Sequence, residues 1–349
     1  MIPLFAATTD WLRAVARGWD RFWFKPELPH TLALIRICGG AMLLYTHLVW
    51  TLDLDAFLGP HSWLNRETVS LLNQSPDGKS YSLSYLLWFD SPALIWVLHL
   101  AGLAVFFLLT IGLYTRVVSV LAWIITISYC QRLIGSWFGL DQINAFLATY
   151  LMLGPAGAVY SVDRWLANRR GAAPPMPTVT ANLAVRLLQT HLCVIYLFGG
   201  IGKMRGASWW DGSAMWLSIA SLEYQSLDLT WMVRHRWLLA LLTHVTVFWE
   251  TFYCFLIWPK LTRPLCLLLA VFIHGGIALF LGMKTFGLAM LIANLAFVAP
   301  ELIRDVVTWL SARILRHAPS ATPHAAPARF QAHGKQALPM LKAGSPSPL

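Results

Sequence analysis

The residue of this chain best placed to do chemistry is a lysine at the end of an apolar stretch. Residues 190–216 run through Gly199 and Gly200 to Lys203 and continue as Trp209-Trp-Asp-Gly212. A lysine that is desolvated and unpaired at membrane depth costs several kcal/mol, and an ionisable residue retained there usually marks a functional site. The structural alternative is a lysine that reaches back to the lipid headgroups. The preceding glycines favour function, because they permit close backbone approach or a break in the helix.

The depth of the other ionisable residues in the membrane can be estimated from their distance to the nearest loop, since each helical residue advances about 1.5 Å. Asp141 and Lys203 are placed at outer helix ends, His244 about two turns down, and Glu250 and His274 near the midplane. We predict that these five line one outward-opening polar cavity and supply its catalytic groups.

Several polar residues are predicted to be structural instead. For His47, His99 and His191 we expect hydrogen bonds to a neighbouring backbone group or hydroxyl. Arg36, five residues inside its apolar stretch, is expected to reach the headgroups or to pair with an acid. Asp211 is assigned to the same polar framework, and Trp209 and Trp210 could equally belong to an interfacial aromatic belt.

The composition identifies a polytopic membrane protein. The chain is 57% hydrophobic and 12% charged, with 18 tryptophans in 349 residues, whereas soluble domains are about 25% charged. The net charge of +10 does not indicate a nucleic-acid partner, because the basic residues collect in short loops between apolar stretches. Membrane lipid is the expected surrounding.

The elements that must position these residues are all helical. We predict a bundle of about eight transmembrane helices, since a span needs about 20 apolar residues. A segment at 1–30, amphipathic between Asp10 and Phe24, is predicted to lie at the membrane interface. The transmembrane domain covers 31–305, an amphipathic extension 306–317 and a disordered tail 318–349. The predicted spans are 31–51, 92–114, 117–137, 141–160, 183–202, 237–258, 263–282 and 285–300.

The distribution of charge predicts the orientation. Most of the 26 lysines and arginines fall on segments that are cytoplasmic if the N-terminus is inside, as the positive-inside rule requires. We therefore expect both termini in the cytoplasm. The bacterial inner membrane is the predicted location.

The order of several motifs resembles a known family. Tyr196-Leu-Phe-Gly-Gly-Ile-Gly-Lys203, Leu34-Ile-Arg36, Tyr160-Ser-Val-Asp163, Thr243-His244 through Glu250, and Phe272-Ile-His274 are similar to bacterial horizontally transferred transmembrane (HTTM) domain proteins. They are more distantly similar to the membrane half of vitamin K-dependent gamma-carboxylase. The resemblance covers roughly residues 20–305.

The resemblance implies a reduced quinone of the vitamin K type as cofactor, with Lys203 as the base that deprotonates it. In the carboxylase, oxygen then converts the quinol to an epoxide, and the strong base formed removes a glutamate proton so that carbon dioxide adds. The chemistry suits a desolvated lysine, because burial favours the neutral amine that a general base requires. Gly199, Gly200, Trp209 and Trp210 are the residues assigned to the cofactor.

The chain also departs from the carboxylase pattern. The carboxylase has Ser-Trp-Asn-Asn-His before its fourth span, whereas here Ser136-Trp137 continues as Phe-Gly-Leu-Asp141. Gly202 stands where the carboxylase has a second lysine. The second catalytic group is therefore missing or replaced, and glutamate carboxylation does not follow directly.

Three function classes remain open at this stage. The first is a quinol-linked, carboxylase-like enzyme acting on a peptide or small molecule outside the cytoplasm. The second is a non-catalytic partner in the maturation or export of a secreted peptide. The third is a proton or solute transporter, for which intramembrane His, Glu and Arg are typical, although inverted repeats and paired broken helices are not evident.

Overall fold

The structure is a computed structural model that describes residues 2–79 and 82–317. Within these ranges every regular element is helical, which confirms the all-α prediction. The α-helices are α1 (Ile2–Phe24), α2 (His30–Trp50), α3 (Leu54–Leu58), α4 (Arg66–Leu72), α5 (Pro92–Ile111), α6 (Thr115–Arg132), α7 (Gly139–Leu153), α8 (Val162–Arg169), α9 (Val179–Met204), α10 (Ala207–Trp210), α11 (Ala214–Ile219), α12 (Arg236–Leu256), α13 (Arg263–Phe280), α14 (Lys284–Asn294) and α15 (Pro300–His317). The predicted extension 306–317 lies within α15, and the predicted disordered tail 318–349 lies outside the described residues.

Five of the described helical segments are long and apolar enough to cross a membrane. They include α2, α5, α9, α12 and α13. A sixth crossing would require Lys284–Phe297 and Pro300–Arg313 to form one span, although they are bent by 108° at their break. The chain is thus an integral membrane protein, but the predicted count of eight spans is not confirmed.

The remaining three predicted spans correspond to α6, α7 and α14, which are too short or not apolar enough to qualify. Helix α7 has 15 residues, which at 1.5 Å each covers about 22 Å of a hydrocarbon core of about 30 Å. It ends before Gly154-Pro155, because the residue before a proline disfavours the helical conformation. Helix α14 has 11 residues, and α6 carries Arg116 and Arg132 near its two ends. The apolar residues continue beyond the ends of these three helices. The predicted spans were therefore longer than the helices.

The N-terminal helix α1 is amphipathic and fastened at its C-terminal end. Trp11 and Trp19 are exposed, which suits the predicted interfacial location. At the other end, the Asn182 side chain on α9 donates hydrogen bonds of 2.9 Å to the Phe22 and Trp23 carbonyl oxygens. These bonds satisfy carbonyls that a helix end leaves free. Helix α1 is therefore fixed against α9, the helix that carries Lys203.

Arg36 forms a buried structural corner. Its side chain is fully buried, and Nη2 donates to the Tyr160 carbonyl oxygen at 2.5 Å. The nearby Asp163 carboxylate accepts bonds from the Tyr114 and Thr115 amides, both at 2.8 Å, and so caps α6. The motifs around Arg36 and Tyr160–Asp163, far apart in the chain, thus meet in the fold. Arg36 joins α2 to the α7–α8 connection through this bond to a carbonyl oxygen.

The largest core cluster places the C-terminal end of α9 beside α12. It contains buried side chains from α2, α7, α9, α12, α13 and α14, among them Leu188, Trp249 and Tyr253. Helix α9 packs more extensively on α12 than on any other described helix. This packing brings Lys203 and Glu250 together.

Candidate functional site

Lys203 and Glu250 form a close ion pair between α9 and α12. The Lys203 Nζ lies 2.6 Å from the Glu250 Oε2, and the two side chains are 28% and 10% exposed. The Lys203 Nζ also lies 5.4 Å from the centre of the Trp209 ring, within the range of a cation–π contact. Lys203 is therefore neither a free amine nor a headgroup-reaching side chain. It is held by an acid and an aromatic ring while remaining partly open.

The pair can exchange a proton, because the two atoms are at hydrogen-bond distance. The bond joins the amine on α9 directly to the carboxylate on α12, so Glu250 is the group through which a Lys203 proton would leave.

Small residues on α9 create the space around this pair. A Cβ added at Gly199 would lie 3.4 Å from the Glu250 Oε2 and 4.0 Å from the Lys203 Nζ. The glycine therefore leaves room beside both reactive atoms. At Gly202 an added Cβ would meet nothing within 4 Å, so this side of the helix is open.

Gly200 sets the distance between α9 and α12, which gives a direct test of the packing. An added Cβ would lie 2.4 Å from the Thr251 Oγ1 and 2.7 Å from the Thr251 backbone nitrogen. We expect Gly200→Ala to push the helices apart and to lower the thermal unfolding temperature in detergent, whereas Gly202→Ala leaves it unchanged within about 2 °C. The expected cost at Gly200 is about 1–3 kcal/mol, as for overpacking in a core. Equal unfolding temperatures for the two variants would contradict this role of Gly200.

A buried hydrogen-bond network lies next to the ion pair. The His274 Nε2 is 2.7 Å from the Tyr196 hydroxyl, which also accepts a 2.9 Å bond from the Asn294 Nδ2. The Tyr253 hydroxyl donates to the Asn294 Oδ1 at 2.7 Å. The Tyr196 ring also packs on Trp249, the neighbour of Glu250, with ring centres 4.8 Å apart. The network joins α9, α12, α13 and α14 and rigidifies the wall behind the ion pair.

A match to a known family follows the same part of the chain. The model of the HTTM domain matches residues 24–301. The chain belongs to the HTTM family. This confirms the resemblance inferred from the motifs, and the match includes Lys203, Glu250 and His274. No curated protein and no solved structure matches the chain.

His244 of the HTTM domain contacts the loop that follows Lys203. Its exposed ring donates through Nε2 to the Trp210 carbonyl oxygen at 3.1 Å. Trp210 in turn donates through its indole nitrogen to the Met204 carbonyl oxygen at 2.6 Å. Both residues hold the loop that follows Lys203, so the structure gives them positioning contacts.

Asp211 is also part of this loop. Its Oδ1 accepts a 2.8 Å bond from the Ser213 amide. Hydrogen bonds from the Ser213 side chain and amide hold the pKa of Asp211 below its ordinary value. An ionised Asp211 therefore fixes the turn at Gly212, in keeping with its predicted framework role.

Asp141 does not join Lys203, contrary to the single cavity predicted from depth. Its Oδ2 accepts a 2.9 Å bond from the Phe138 amide and closes the first turn of α7. Asp141 lines a cavity together with His47 and Asn144, and Lys203 is not among the residues that line it. Two residues at the same membrane depth can lie on different helices or on different faces of a helix. Depth alone therefore does not show whether they are in contact.

The three histidines predicted to be structural have the expected partners. The His47 Nδ1 is 2.8 Å from the Leu43 carbonyl oxygen. His99 lies between the Thr51 and Tyr129 hydroxyls, at 2.8 and 2.6 Å. The His191 Nδ1 is 2.9 Å from the Tyr150 hydroxyl. Among the residues that the structure describes, no group of three His, Cys, Asp or Glu side chains could hold a metal ion.

Tyr196 and Asn294 are the site residues that the sequence analysis missed. Tyr196 precedes Lys203 by seven residues, and this spacing places both on one helix face. The spacing was readable in the sequence, but a tyrosine in an apolar helix is usually taken as core. Asn294, buried at 4% exposure, could have been noticed as a polar residue within an apolar stretch.

Proposed function

We propose that this HTTM-domain protein is a quinol-linked, carboxylase-like membrane enzyme in which Lys203 is the general base. The observation that carries the proposal is the 2.6 Å contact between the Lys203 Nζ and the Glu250 Oε2, in a partly open position at the end of α9. Such a contact pairs the amine with a carboxylate that can take up its proton and so leave the neutral amine as base.

The residues around Lys203 fit the head of a reduced quinone. Gly199 leaves space beside Nζ and Oε2, and Gly202 opens to the outside of the bundle. Lys203 and Glu250 would hold the quinol hydroxyl, with Trp209 beside them. When bound and oxidised by oxygen, such a quinol supplies the means to remove an unreactive C–H proton before carbon dioxide adds.

The protein's own contribution is proton handling and positioning. Glu250 takes the proton of the Lys203 ammonium, and the neutral amine then accepts a hydroxyl proton. Trp209 orients the ammonium, while the Tyr196–His274 contact fixes the wall behind it. The substrate is a peptide or small molecule on the outer face, with the protein in a bacterial inner membrane and both termini cytoplasmic.

A turnover assay tests this function. The full-length protein in lipid nanodiscs is supplied with reduced menaquinone, oxygen and bicarbonate, and the quinone products are analysed by liquid chromatography and mass spectrometry. We expect oxygen-dependent formation of quinone epoxide above that of empty nanodiscs. Folded protein that bound the quinol and left it unchanged over many hours would count against the enzymatic proposal.

A further inference from the structure

A cavity elsewhere in the molecule is built differently from the Lys203 site. It lies where α2 and α6 end and α7 begins, and it is partly open to the surface. Its lining includes His47, Trp50, Tyr129, Trp137, Asp141 and Asn144. Two of these residues carry buried polar atoms that have no hydrogen-bond partner in the described part of the chain, the His47 Nε2 and the Asn144 Oδ1. Buried polar atoms of this kind are uncommon and require an explanation.

The hydrogen bonds of His47 determine what its free nitrogen can bind. His47 is 4% exposed, and its Nδ1 lies 2.8 Å from the Leu43 carbonyl oxygen. A carbonyl oxygen can only accept, so Nδ1 must carry the hydrogen. In the neutral ring the Nε2 then bears a lone pair. The free nitrogen of His47 is therefore an acceptor that requires a donor.

The orientation of Asn144 follows from Thr46 in the same way. The Thr46 hydroxyl donates to the Met42 carbonyl oxygen at 2.8 Å, so its oxygen can accept but has no further hydrogen to give. Asn144 must therefore present its NH₂ group to Thr46, at 3.4 Å. Its Oδ1 is left as the unpartnered atom. The second free group at this cavity is also an acceptor.

The remaining lining specifies the charge of the ligand. Asp141 supplies a carboxylate, and no lysine or arginine lines the cavity. Trp50, Tyr129 and Trp137 contribute aromatic rings, whose faces attract cations. An anion would face the Asp141 carboxylate and the two unpartnered acceptors, whereas a primary ammonium brings a positive charge and three donors.

We propose that this cavity binds the ammonium of a primary amine, through His47, Asn144 and Asp141. His47 is three residues from the end of α2, and Asp141 is in the first turn of α7. The cavity thus lies at helix ends, the depth of lipid headgroups, so a phosphatidylethanolamine headgroup and a free alkylamine share the required chemistry. The site goes beyond the proposed quinol chemistry and does not involve Lys203.

Binding of matched cations tests the proposal. The full-length protein, in nanodiscs of phosphatidylcholine and phosphatidylglycerol, is titrated calorimetrically with hexylammonium and with hexyltrimethylammonium. The two probes share charge and tail, but the second has no N–H donor. We expect hexylammonium to bind at least tenfold more tightly, because hydrogen bonds to charged groups are among the stronger ones. Equal affinities, or heat from neither probe, would overturn the proposal and leave water as the occupant.

Variants assign the binding to the named atoms. His47→Phe and Asn144→Leu each remove one acceptor and are expected to weaken hexylammonium binding roughly tenfold or more. His191→Phe removes a histidine outside the cavity and serves as the control. Asn144→Leu provides the test if His47→Phe does not fold. Unchanged affinity in folded Asn144→Leu would contradict the site.

Native mass spectrometry identifies the source of the amine. Retention of phosphatidylethanolamine over phosphatidylcholine, lost in Asn144→Leu, would support the ammonium site and assign a lipid headgroup to it. Hexylammonium binding without lipid preference would support the site and assign a free amine.

Discussion

Replacing Lys203 by methionine is expected to lower oxygen-dependent turnover of reduced menaquinone at least 100-fold. Methionine keeps the length of the side chain and removes the only group in the 2.6 Å pair that can act as an amine base. General-base catalysis by a positioned side chain typically contributes about 10²–10⁴ in rate. Epoxide formation in nanodiscs, measured by mass spectrometry, provides the readout. Lys260→Met, which changes an exposed lysine outside the site, should retain wild-type turnover.

A double variant separates catalysis from stability. Lys203→Met leaves Glu250 without its partner, and breaking a buried pair costs about 3–5 kcal/mol, with the lower end expected because Lys203 is 28% exposed. Adding Glu250→Gln removes the unpaired charge and should recover most of the unfolding temperature, but no turnover. If the double variant were as active as wild type, the lysine would not be the base.

Gly112→Ala is expected to have the largest effect on folding. Gly112 has a φ of +72°, and an added Cβ would lie 1.5 Å from the Nη1 of the fully buried Arg36. The guanidinium would have to leave the Tyr160 carbonyl oxygen, and loss of a buried charge interaction costs about 3–5 kcal/mol. We expect little monodisperse protein after purification, as measured by size-exclusion chromatography.

Gly171→Ala is the matched control for this prediction. Gly171 has a φ of +75°, but an added Cβ would meet nothing within 4 Å. It should cost only about 1–2 kcal/mol for the left-handed conformation. Similar yields for the two variants would show that the Arg36 corner does not determine assembly of the fold.

The sequence predicted the helices better than their lengths. Apolar runs located α2, α5, α9, α12 and α13 within a few residues, because a span must be continuous and apolar. Helix α7 ends before Gly154-Pro155 because the residue before a proline disfavours the helical conformation. A hydropathy profile does not contain this information. The positions of helices thus follow from composition, whereas their ends follow from individual residues.

The candidate site could be predicted only in part. Lys203 stood out because of its type and position, but its pairing with Glu250 depends on how α9 lies on α12. That register is set by Gly200 against Thr251, a contact between residues that are distant in sequence. Asp141 was predicted to share one cavity with Lys203 because both lie at outer helix ends. A contact also requires that the two helices be neighbours and that the side chains lie on facing sides.

The central claim is that Lys203 holds a quinol, and the quinone content of the purified protein tests it most directly. Wild type, Lys203→Met and Lys260→Met are extracted from the membrane in polymer-bounded lipid discs without detergent, and quinone per protein is measured by mass spectrometry. We predict close to one quinone per protein, above the bulk lipid ratio, in wild type and Lys260→Met, and at least tenfold less excess in Lys203→Met. The same quinone content in all three, or none above bulk lipid, would contradict the account.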